Sequence, residues 1–399
     1  MSADRRGGLQ PPEPRSADGS APPLQLSEER FSRFEKVEWW EQPRLREAKV
    51  LIAGAGALGN EVIKNFALLG IGHIAVADMD SIEISNLTRS PLFREADAGK
   101  PKAECAARAA KDLYPSIDAQ PLVGNITADL GLGWVRWADV VVGALDNREA
   151  RIFINSACAR VGKPWIDGGI EVLQGIARGF HPPATACYEC TMSEVDWQVI
   201  NKRRSCSMLA RRALAHGGTP TTPTTASVIG AIQAQEVVKL LHGLPALLGR
   251  GFVFEGATHS SYGVAYPISP DCPWHEEVAP IDAIDAGWDT PLEVVWREAE
   301  RVLGGVDAIE LGRELVDELE CVSCGRVRSV QRAIDVVSEA DAICDVCGAD
   351  STPRFFHSIG RERLAKTPRE IGLPRWDIVW ARRGERFHGF ELAGDITHG

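Results

Sequence analysis

Short apolar runs alternate with segments of helical periodicity over the first part of the chain. Residues 50–53 and 73–77 are apolar runs of strand length, and residues 60–69 between them place apolar side chains at helical spacing. The same alternation predicts a helix over 103–114, a strand that begins at Val123, a strand over 138–145 and a helix over 148–161. Strands and helices in alternation predict an α/β fold with a buried parallel sheet.

Strand patterns become more frequent than helix patterns farther along the chain. We predict a strand and turn at 164–169, strands over 174–180, 252–255 and 262–266, and a helix over 225–241 that Thr225 caps. Beyond residue 275 we predict a helix over 308–320 and a strand pair over 376–382 and 387–392. A first helix is predicted to begin near Ser27, which two acids follow.

Glycines follow the first apolar run at a fixed spacing. Gly54, Gly56 and Gly59 form G-x-G-x-x-G ahead of the predicted helix, and Asp78 ends the next strand 19 residues after Gly59. Such glycines let the backbone approach phosphates at a helix N-terminus, and the acid can hold ribose hydroxyls. The segment predicts a mononucleotide-binding unit in a Rossmann-like doubly wound sheet. By itself it also fits a nicotinamide-linked dehydrogenase.

Charged and polar side chains follow Asp78 closely. Asp80 is two residues on, and Asn86, Arg89 and Lys102 come after it. Cations this close to a nucleotide acid suit a polyphosphate that must be neutralised, which hydride transfer does not need. Asp78 and Asp80 also suit Mg²⁺ that is held jointly with phosphates.

Another acid, Asp146, follows the predicted strand over 138–145. Ligands of doubly wound sheets bind at the C-terminal ends of strands, so Asp146 is a candidate for the same site. A structural role as N-cap of the helix over 148–161 explains this acid as well, and the two roles are compatible.

These motifs resemble the family of ubiquitin-activating, MoeB, ThiF and HesA adenylating enzymes. The family pattern D-x-D, S-N-L-x-R, G-x-x-K and A-L-D-N-x-x-A-R corresponds here to residues 78–80, 85–89, 99–102 and 144–151. The resemblance implies that ATP lies over Gly54 to Gly59. It places Asp78 on the ribose, Asn86, Arg89 and Lys102 on the phosphates, and Asp80 or Asp146 on Mg²⁺.

The segment Arg30-Phe31-Ser32-Arg33-Phe34 looks like the family's R-Y-x-R segment. In the family the second arginine crosses a dimer interface and touches the partner's ATP phosphates. The resemblance therefore implies a homodimer in which Arg33 is catalytic in trans. A solvated helical arginine is the alternative.

Paired cysteines indicate two metal sites. The family usually has two Cys-x-x-Cys pairs near the end of its domain; here the first is complete and a histidine replaces the last cysteine, so the predicted ligands are Cys187, Cys190, Cys272 and His275. A closed four-ligand set is typical of structural zinc, with free thiols as the alternative. A C-x₂-C-x₁₉-C-x₂-C zinc-ribbon spacing follows at Cys321, Cys324, Cys344 and Cys347. We expect Cys105 and Cys158 to pack in the core.

Cys206 lies outside both predicted metal sites and follows Lys202, Arg203 and Arg204. Neighbouring cations lower a thiol pKa, and a thiolate is the nucleophilic form. The resemblance to the catalytic subunits that activate NEDD8 and SUMO implies that a crossover segment over 191–225 carries this cysteine. It would accept the activated carrier as a thioester. A lone surface thiol is the alternative.

Composition, charge and hydropathy limit the classes of protein that fit this sequence. The chain has 399 residues, 44% of them hydrophobic and 25% charged, with a net charge of −11, which argues against a general nucleic-acid binder. It carries no apolar run of membrane-spanning length and no signal-peptide core, so we predict a cytoplasmic protein. We predict a disordered tail over 1–25, an adenylation domain over 26–275 and a small zinc-ribbon α+β domain over 276–399.

The sequence thus predicts an ATP-dependent activating enzyme for a ubiquitin-like protein that ends in glycine. The carrier's C-terminal carboxylate would be adenylated, transferred to Cys206 and passed to a conjugating enzyme. A sulfur-carrier adenylyltransferase of the MoeB or ThiF type would share the ATP residues without the thioester. A non-catalytic zinc-bearing scaffold is the third possibility, and a nicotinamide-linked dehydrogenase is a distant one.

Overall fold

The computed structural model describes residues 30–198 and 220–395. The chain divides after Trp40 into two compact units. In the first unit the described residues contain one short 3₁₀ helix, Phe34–Lys36, which Arg33 directly precedes. The helix predicted near Ser27 begins outside the described residues.

The larger unit, from Glu41 onward, contains an eight-stranded sheet with the order β3-β2-β1-β4-β5-β6-β7-β8. Adjacent strands in the order β3-β2-β1-β4-β5 pair in parallel. Adjacent strands in the order β5-β6-β7-β8 pair antiparallel. Its strands are β1 Lys49–Ala53, β2 His73–Asp78, β3 Asp118–Val123, β4 Val140–Gly143, β5 Trp165–Glu171, β6 Gln174–Phe180, β7 Arg250–Glu255 and β8 Ser260–Ala265. The strand order reverses between β1 and β4, which is where doubly wound sheets bind ligands.

Helices cover both faces of the parallel part of this sheet. The α-helices whose two ends are both described are α1 Gln42–Glu47, α2 Ala57–Leu69, α3 Lys102–Leu113, α4 Ile126–Asp129, α5 Leu132–Trp137, α6 Arg148–Val161, α7 Pro223–Leu241 and α8 Leu292–Leu303. All four residues of β4 are buried, as expected for a strand with helices on both sides. Helices α5 and α6 share one apolar cluster with β1 and β4, whereas α2 packs against α3 and α7. The predicted α/β fold is confirmed.

A second sheet of six strands follows in the chain. Its path is β11-β10-β13-β14-β9, and β12 pairs with the other edge of β10. The strands are β9 Ile281–Ile284, β10 Ala308–Cys321, β11 Val327–Ala333, β12 Ser351–Ile359, β13 Ile378–Arg383 and β14 Arg386–Leu392. Helix α8 packs its apolar face on this sheet through Val295, Trp296 and Ala299. The predicted strand pair is confirmed as β13 and β14.

Three local predictions are wrong. Residues 308–320 form the long strand β10 instead of a helix. Val123 ends β3 instead of beginning a strand. Helix α7 begins at Pro223, two residues before the predicted cap, and Thr222 caps it by accepting a hydrogen bond from the Thr225 N–H at 3.3 Å.

Buried polar contacts join the second sheet to the segment of α4 and α5. Arg313 on β10 donates to the carbonyls of Ala128 at 2.8 Å and Leu130 at 2.9 Å. Asp377 pairs with Arg313 at 3.4 Å and accepts from the Leu132 N–H at 2.9 Å. Ile378 and Trp380 also belong to the apolar cluster of the first sheet. The two sheets therefore share a core, and the division into domains at residue 275 stays a prediction.

Within the described ranges, no helix is both long enough and apolar enough to span a membrane.

Candidate functional site

The glycine turn after β1 is held by backbone packing. Gly54 has φ +99°, and a Cβ on it would lie 2.4 Å from the Ala144 carbonyl oxygen at the end of β4. A Cβ on Gly59 would lie 2.1 Å from the Gly54 carbonyl oxygen. Gly56 is different, because a Cβ there meets no atom within 4 Å. The first and third glycines are thus needed for packing, and the second faces open space in front of the N-terminus of α2.

Asp78 ties the end of β2 to the glycine turn. Its buried carboxylate accepts hydrogen bonds from the Ala55 N–H at 2.7 Å and from the Asp80 N–H at 2.8 Å. Burial raises the pKa of Asp78 although both donors and Lys102 act in the opposite direction. This acid therefore positions the loop, whatever it also does toward a ribose.

Lys102 and Asp80 form an ion pair at the rim of the same edge. The Lys102 Nζ lies 2.7 Å from an Asp80 carboxylate oxygen, and the Lys102 N–H donates to the Asp80 carbonyl at 2.9 Å. Lys102 begins α3, and its side chain is only 12% exposed, whereas that of Asp80 is 52% exposed. The ammonium group is thus held at one place beside Asp78.

Asn86 and Arg89 lie on the 3₁₀ helix Ile84–Thr88 and at its end. The Asn86 side chain accepts from the Glu83 N–H at 3.0 Å, and Arg89 donates to the Ser85 carbonyl at 3.1 Å. Both side chains are half-buried. Their described contacts fix the loop that follows β2.

Asp146 lies just beyond β4 and is exposed. The cap of α6 is Asn147, whose side chain accepts from the Ala150 N–H at 2.8 Å, so the structural alternative for Asp146 as the helix cap is wrong. The Asp146 carboxylate accepts from the Asn147 side chain at 3.1 Å. The predicted acids thus follow β2 and β4, the two neighbours of β1, at the same edge as the glycine turn.

A buried ion network beside this edge escaped the sequence analysis. Asp167 on β5 is fully buried and accepts from Arg151 at 2.8 Å and from Arg178 at 2.5 Å. Arg151 also donates to the Leu145 carbonyl at 2.6 Å, next to Asp146. Burial lowers the pKa of Arg178, but the Asp167 carboxylate outweighs it and raises that pKa. Arg151 is the last residue of the A-L-D-N-x-x-A-R motif, and this motif could have identified it from the sequence.

Asn60 is a second buried residue that the sequence analysis did not single out. Its amide donates to the Ala55 carbonyl at 2.7 Å and accepts from the Leu92 N–H at 3.0 Å. It therefore connects the glycine turn to the loop after Arg89. The sequence could have indicated Asn60, because it is an asparagine within an apolar helical pattern.

The first predicted metal site is assembled from distant parts of the chain. The ligand atoms of Cys187, Cys190, Cys272 and His275 all lie within 4.8 Å of one another. The Cys187 Sγ is 3.7 Å from that of Cys190 and 3.5 Å from that of Cys272. Zn–S bonds of about 2.3 Å in a tetrahedron place sulfur atoms about 3.8 Å apart, so the cluster fits a metal better than a disulfide of about 2.0 Å. His275 Nδ1 faces the Pro183 carbonyl at 3.3 Å, which leaves Nε2 toward the cluster.

The second cluster, Cys321, Cys324, Cys344 and Cys347, closes the far end of the second sheet. Its Sγ atoms lie 3.4 Å apart for Cys321 and Cys347 and 3.7 Å apart for Cys324 and Cys344. N–H groups of Cys324 and Ser323 lower the pKa of Cys321 to about 6, which favours the thiolate that binds metals. At Cys324 the Arg326 N–H acts in the same direction, but the Cys321 and Cys347 thiols outweigh it and raise the pKa of Cys324 to about 12. The structure thus brings together both predicted ligand sets.

Two predicted functional residues are not placed with this site. Cys206, with most of the crossover segment over 191–225, lies outside the described residues. Arg33 belongs to the smaller unit before Glu41.

A doubly wound sheet with a glycine turn after one strand, an acid after the next and a fixed cation beside that acid defines a nucleotide-binding α/β protein. The chain belongs to the ThiF family, whose sequence model matches residues 29–273. The predicted family resemblance is confirmed. The match ends before β9, so the second sheet lies beyond it.

Curated relatives are named as activating or adenylating enzymes. The chain is 40% identical over 150 residues to the NEDD8-activating enzyme E1 catalytic subunit of Schizosaccharomyces pombe, covering 36% of this chain and 34% of that protein. It is 32% identical over 240 residues to the SAMP-activating enzyme E1 of Haloferax volcanii, covering 58% of this chain and 82% of that protein. It is 30% identical over 238 residues to the sulfur carrier protein adenylyltransferase of Thermus thermophilus, covering 58% and 83%. The chain thus spans only about a third of the NEDD8-type subunit.

Among solved structures, the chain is similar to that of E. coli MccB with ATP. The two are 27% identical with a TM-score of 0.51, over 62% of this chain and 73% of that chain.

Proposed function

We propose that this protein uses ATP to adenylate the C-terminal carboxylate of a ubiquitin-like protein. The observation that carries the proposal is the Lys102–Asp80 pair, fixed at 2.7 Å beside Asp78 and the glycine turn. A held ammonium at this position suits a triphosphate, which hydride chemistry does not require. The names of the relatives and the MccB structure with ATP support the same reaction class.

The nucleotide phosphates would lie at the N-terminus of α2, over Gly54 to Gly59, with the ribose near Asp78. Asn86, Arg89 and Lys102 would contact the phosphates. Asp80 or Asp146 would hold Mg²⁺, which supplies positive charge to the phosphate oxygens when bound. Oxygen donors just beyond β2 and β4, the two strands that flank β1, fit such an ion.

In the reaction a carboxylate oxygen of the carrier attacks the α-phosphorus, and the bond from that phosphorus to the bridging oxygen of pyrophosphate breaks. Arg89 and Lys102 would stabilise the negative charge that develops on the phosphates, with the partner's Arg33 in a homodimer. A cavity of 240 Å³ is lined by Arg148, Arg151 and Arg178 and also by Asp196, which pairs with Arg148 at 2.9 Å. Its polar lining would accept the carrier's C-terminal segment.

Cys206 would then attack the acyl-adenylate, release AMP and hold the carrier as a thioester for a conjugating enzyme. The names of the E1-type relatives support this step. A sulfur-carrier adenylyltransferase without a thioester is the second candidate, because the Thermus relative has that name and is covered over 83% of its length.

Both cysteine clusters would hold structural zinc, since four ligands fill a tetrahedron and leave no open position. Metal-binding cysteines that stay reduced fit a cytoplasmic protein.

Cys206 can be tested with a ubiquitin-like protein that ends in glycine, MgATP, and wild-type or Cys206→Ala protein. Intact mass would be read before and after a thiol reductant, and ATP–pyrophosphate exchange would be measured in parallel. We expect an ATP-dependent, reductant-labile adduct on the wild type that Cys206→Ala loses while it retains exchange. Cys105→Ala is the matched control, because Cys105 is buried in α3. Exchange with no adduct on any variant would support the sulfur-carrier type, and absence of exchange and of ATP binding would leave the scaffold alternative.

The glycine turn provides a test of the nucleotide position. We expect Gly54→Ala to lower the free energy of unfolding by about 2–4 kcal/mol, because its Cβ clashes with backbone and its φ is positive. The Cβ that Gly56→Ala adds meets no protein atom within 4 Å, so the free energy of unfolding should change little. The same Cβ projects toward the expected phosphate position, so the affinity for ATP should fall. Urea unfolding and ATP titration by calorimetry measure the two effects. Equal ATP affinity of Gly56→Ala and wild type would contradict the position of the phosphates.

A further inference from the structure

A cavity of 490 Å³ lies at the carboxyl ends of β2 and β3. One side is formed by Ala77 at the end of β2, by the end of β3 and by the turn that follows it. The other side is formed by Arg375 and Trp376, which directly precede the buried Asp377 and β13 of the second sheet. Residues almost 300 positions apart in sequence therefore enclose one space.

The cavity begins where a nucleotide base is expected. Ala77 lines it and directly precedes Asp78. The Gly124 N–H, also on the lining, donates to the Asp78 carbonyl at 3.3 Å. A nucleotide with phosphates at the glycine turn of β1 and a ribose at Asp78 on β2 directs its base toward the next strand, β3.

The lining suits a flat aromatic ring. Leu122, Ile126, Leu130 and Trp134 supply apolar surface, and the turn over 123–125 supplies backbone polar groups. The volume falls in the range of roughly 300–1,000 Å³ that small-molecule sites occupy.

The wall from the second sheet is held rigidly. The Gly133 N–H donates to the Trp376 carbonyl at 2.8 Å, and the Trp376 indole N–H donates to Glu391 at 2.5 Å. The Trp376 ring packs edge-on against Trp134 at 4.9 Å between ring centroids. A Cβ on Gly133 would lie 2.3 Å from the Trp376 ring, so only glycine permits this approach.

Arg375 is the exposed cation of that wall. Its guanidinium lies 4.9 Å from the centroid of the Trp288 ring, which limits where it can point. A guanidinium plane can stack on a nucleotide base as it does on an aromatic side chain.

We propose that the second sheet forms one wall of the nucleotide-base site, with Arg375 against a purine base. This inference rests on the proposed function, since it assigns the base end of the same ATP site. Residues beyond the ThiF match would then set base affinity, and the second sheet would be part of the nucleotide site.

Arg369 provides a matched control for Arg375. Its guanidinium also lies over Trp288, at 4.3 Å from the ring centroid, but Arg369 does not line the cavity. The experiment compares wild type, Arg375→Ala and Arg369→Ala in the full chain by calorimetric titration with ATP and with inorganic tripolyphosphate, which has no base. We expect Arg375→Ala to weaken ATP binding by about five- to tenfold and to leave tripolyphosphate binding unchanged. Arg369→Ala should match the wild type with both ligands.

Other results would overturn the inference in distinguishable ways. Equal weakening of ATP and tripolyphosphate would make Arg375 a general electrostatic contributor instead of a base contact. If Arg375→Ala bound ATP as tightly as the wild type, the inference that the second sheet contributes to the base site would be overturned. The proposed function would stand. Failure of the wild type to bind ATP would overturn both proposals.

Discussion

Lys102→Ala is expected to lower the rate of ATP–pyrophosphate exchange by about 100- to 1,000-fold, as loss of a fixed charge that stabilises a transition state does. The ammonium is held 2.7 Å from Asp80 by a side chain that is only 12% exposed, so it needs no reorganisation when charge develops on the phosphates. Its removal also leaves Asp80 without this partner next to the nucleotide. Exchange of labelled pyrophosphate into ATP with saturating carrier measures the effect on kcat.

Lys100→Ala is the control for Lys102→Ala. Lys100 carries the same charge two residues earlier, but its side chain is 51% exposed and pairs with Asp97 at 3.2 Å. We expect its exchange rate to stay within about twofold of wild type, because the Lys100 ammonium is half-exposed and screened by solvent, and Asp97 keeps Arg108 as a partner. If the two variants lost activity equally, the net charge of the loop would explain the effect and Lys102 would have no special role.

Cys324→Ser is expected to reduce the zinc content from two ions per chain to one and to lower the unfolding midpoint by about 10 °C or more. Cys324 is exposed, so its replacement costs little packing of its own. The apolar cluster next to the ligands is small, with Val316, Leu319, Val337 and Ala342 as its buried members. So small a core holds the tip of the sheet poorly without its metal.

Elemental analysis and thermal melts of purified protein measure both quantities. Ser323→Ala, in the same turn, should keep two zinc ions and the wild-type midpoint. Two zinc ions and an unchanged midpoint in Cys324→Ser would show that this cluster is not a structural zinc site.

The nucleotide half of the fold was predictable because its signals are local. β1, the glycine turn, α2 and β2 follow one another within 30 residues, from Lys49 to Asp78. Each has a characteristic pattern: an apolar run, a glycine spacing, a helical period and a terminal acid. The second cysteine set was predictable for the same reason, because its four ligands lie within 27 residues at zinc-ribbon spacing. The first set joins residues 85 positions apart, and the family resemblance predicted it.

β10 was mispredicted because its composition and its environment disagree. Residues 308–320 are rich in Leu and Glu, which favour helices in isolation. In the fold, Ile309, Leu311, Arg313 and Leu315 alternate inward, and β11, β12 and β13 pair with the strand. The buried arginine broke the apolar alternation in the sequence, and its partner Asp377 is 64 residues away. Tertiary pairing overrode the propensity.

The site could be predicted only where a side chain belongs to a motif. Asp167 looked like an ordinary strand acid, and only the fold shows that it balances Arg151 and Arg178. The cap of α6 was assigned one residue too early, because Asp146 and Asn147 are both good caps and sequence does not choose between them. The wall formed by Arg375 and Trp376 depends on how two sheets pack, which no local pattern encodes.

The hydrogen bonds of Arg313 and Asp377 to residues 128–132 affect the order in which the protein forms on the ribosome. Domains generally fold from the N-terminus as they emerge. Here the segment of α4 and α5 obtains its full set of polar partners only after Asp377 has left the exit tunnel. The nascent nucleotide half must therefore wait, with that edge uncovered, for nearly the whole chain to be translated.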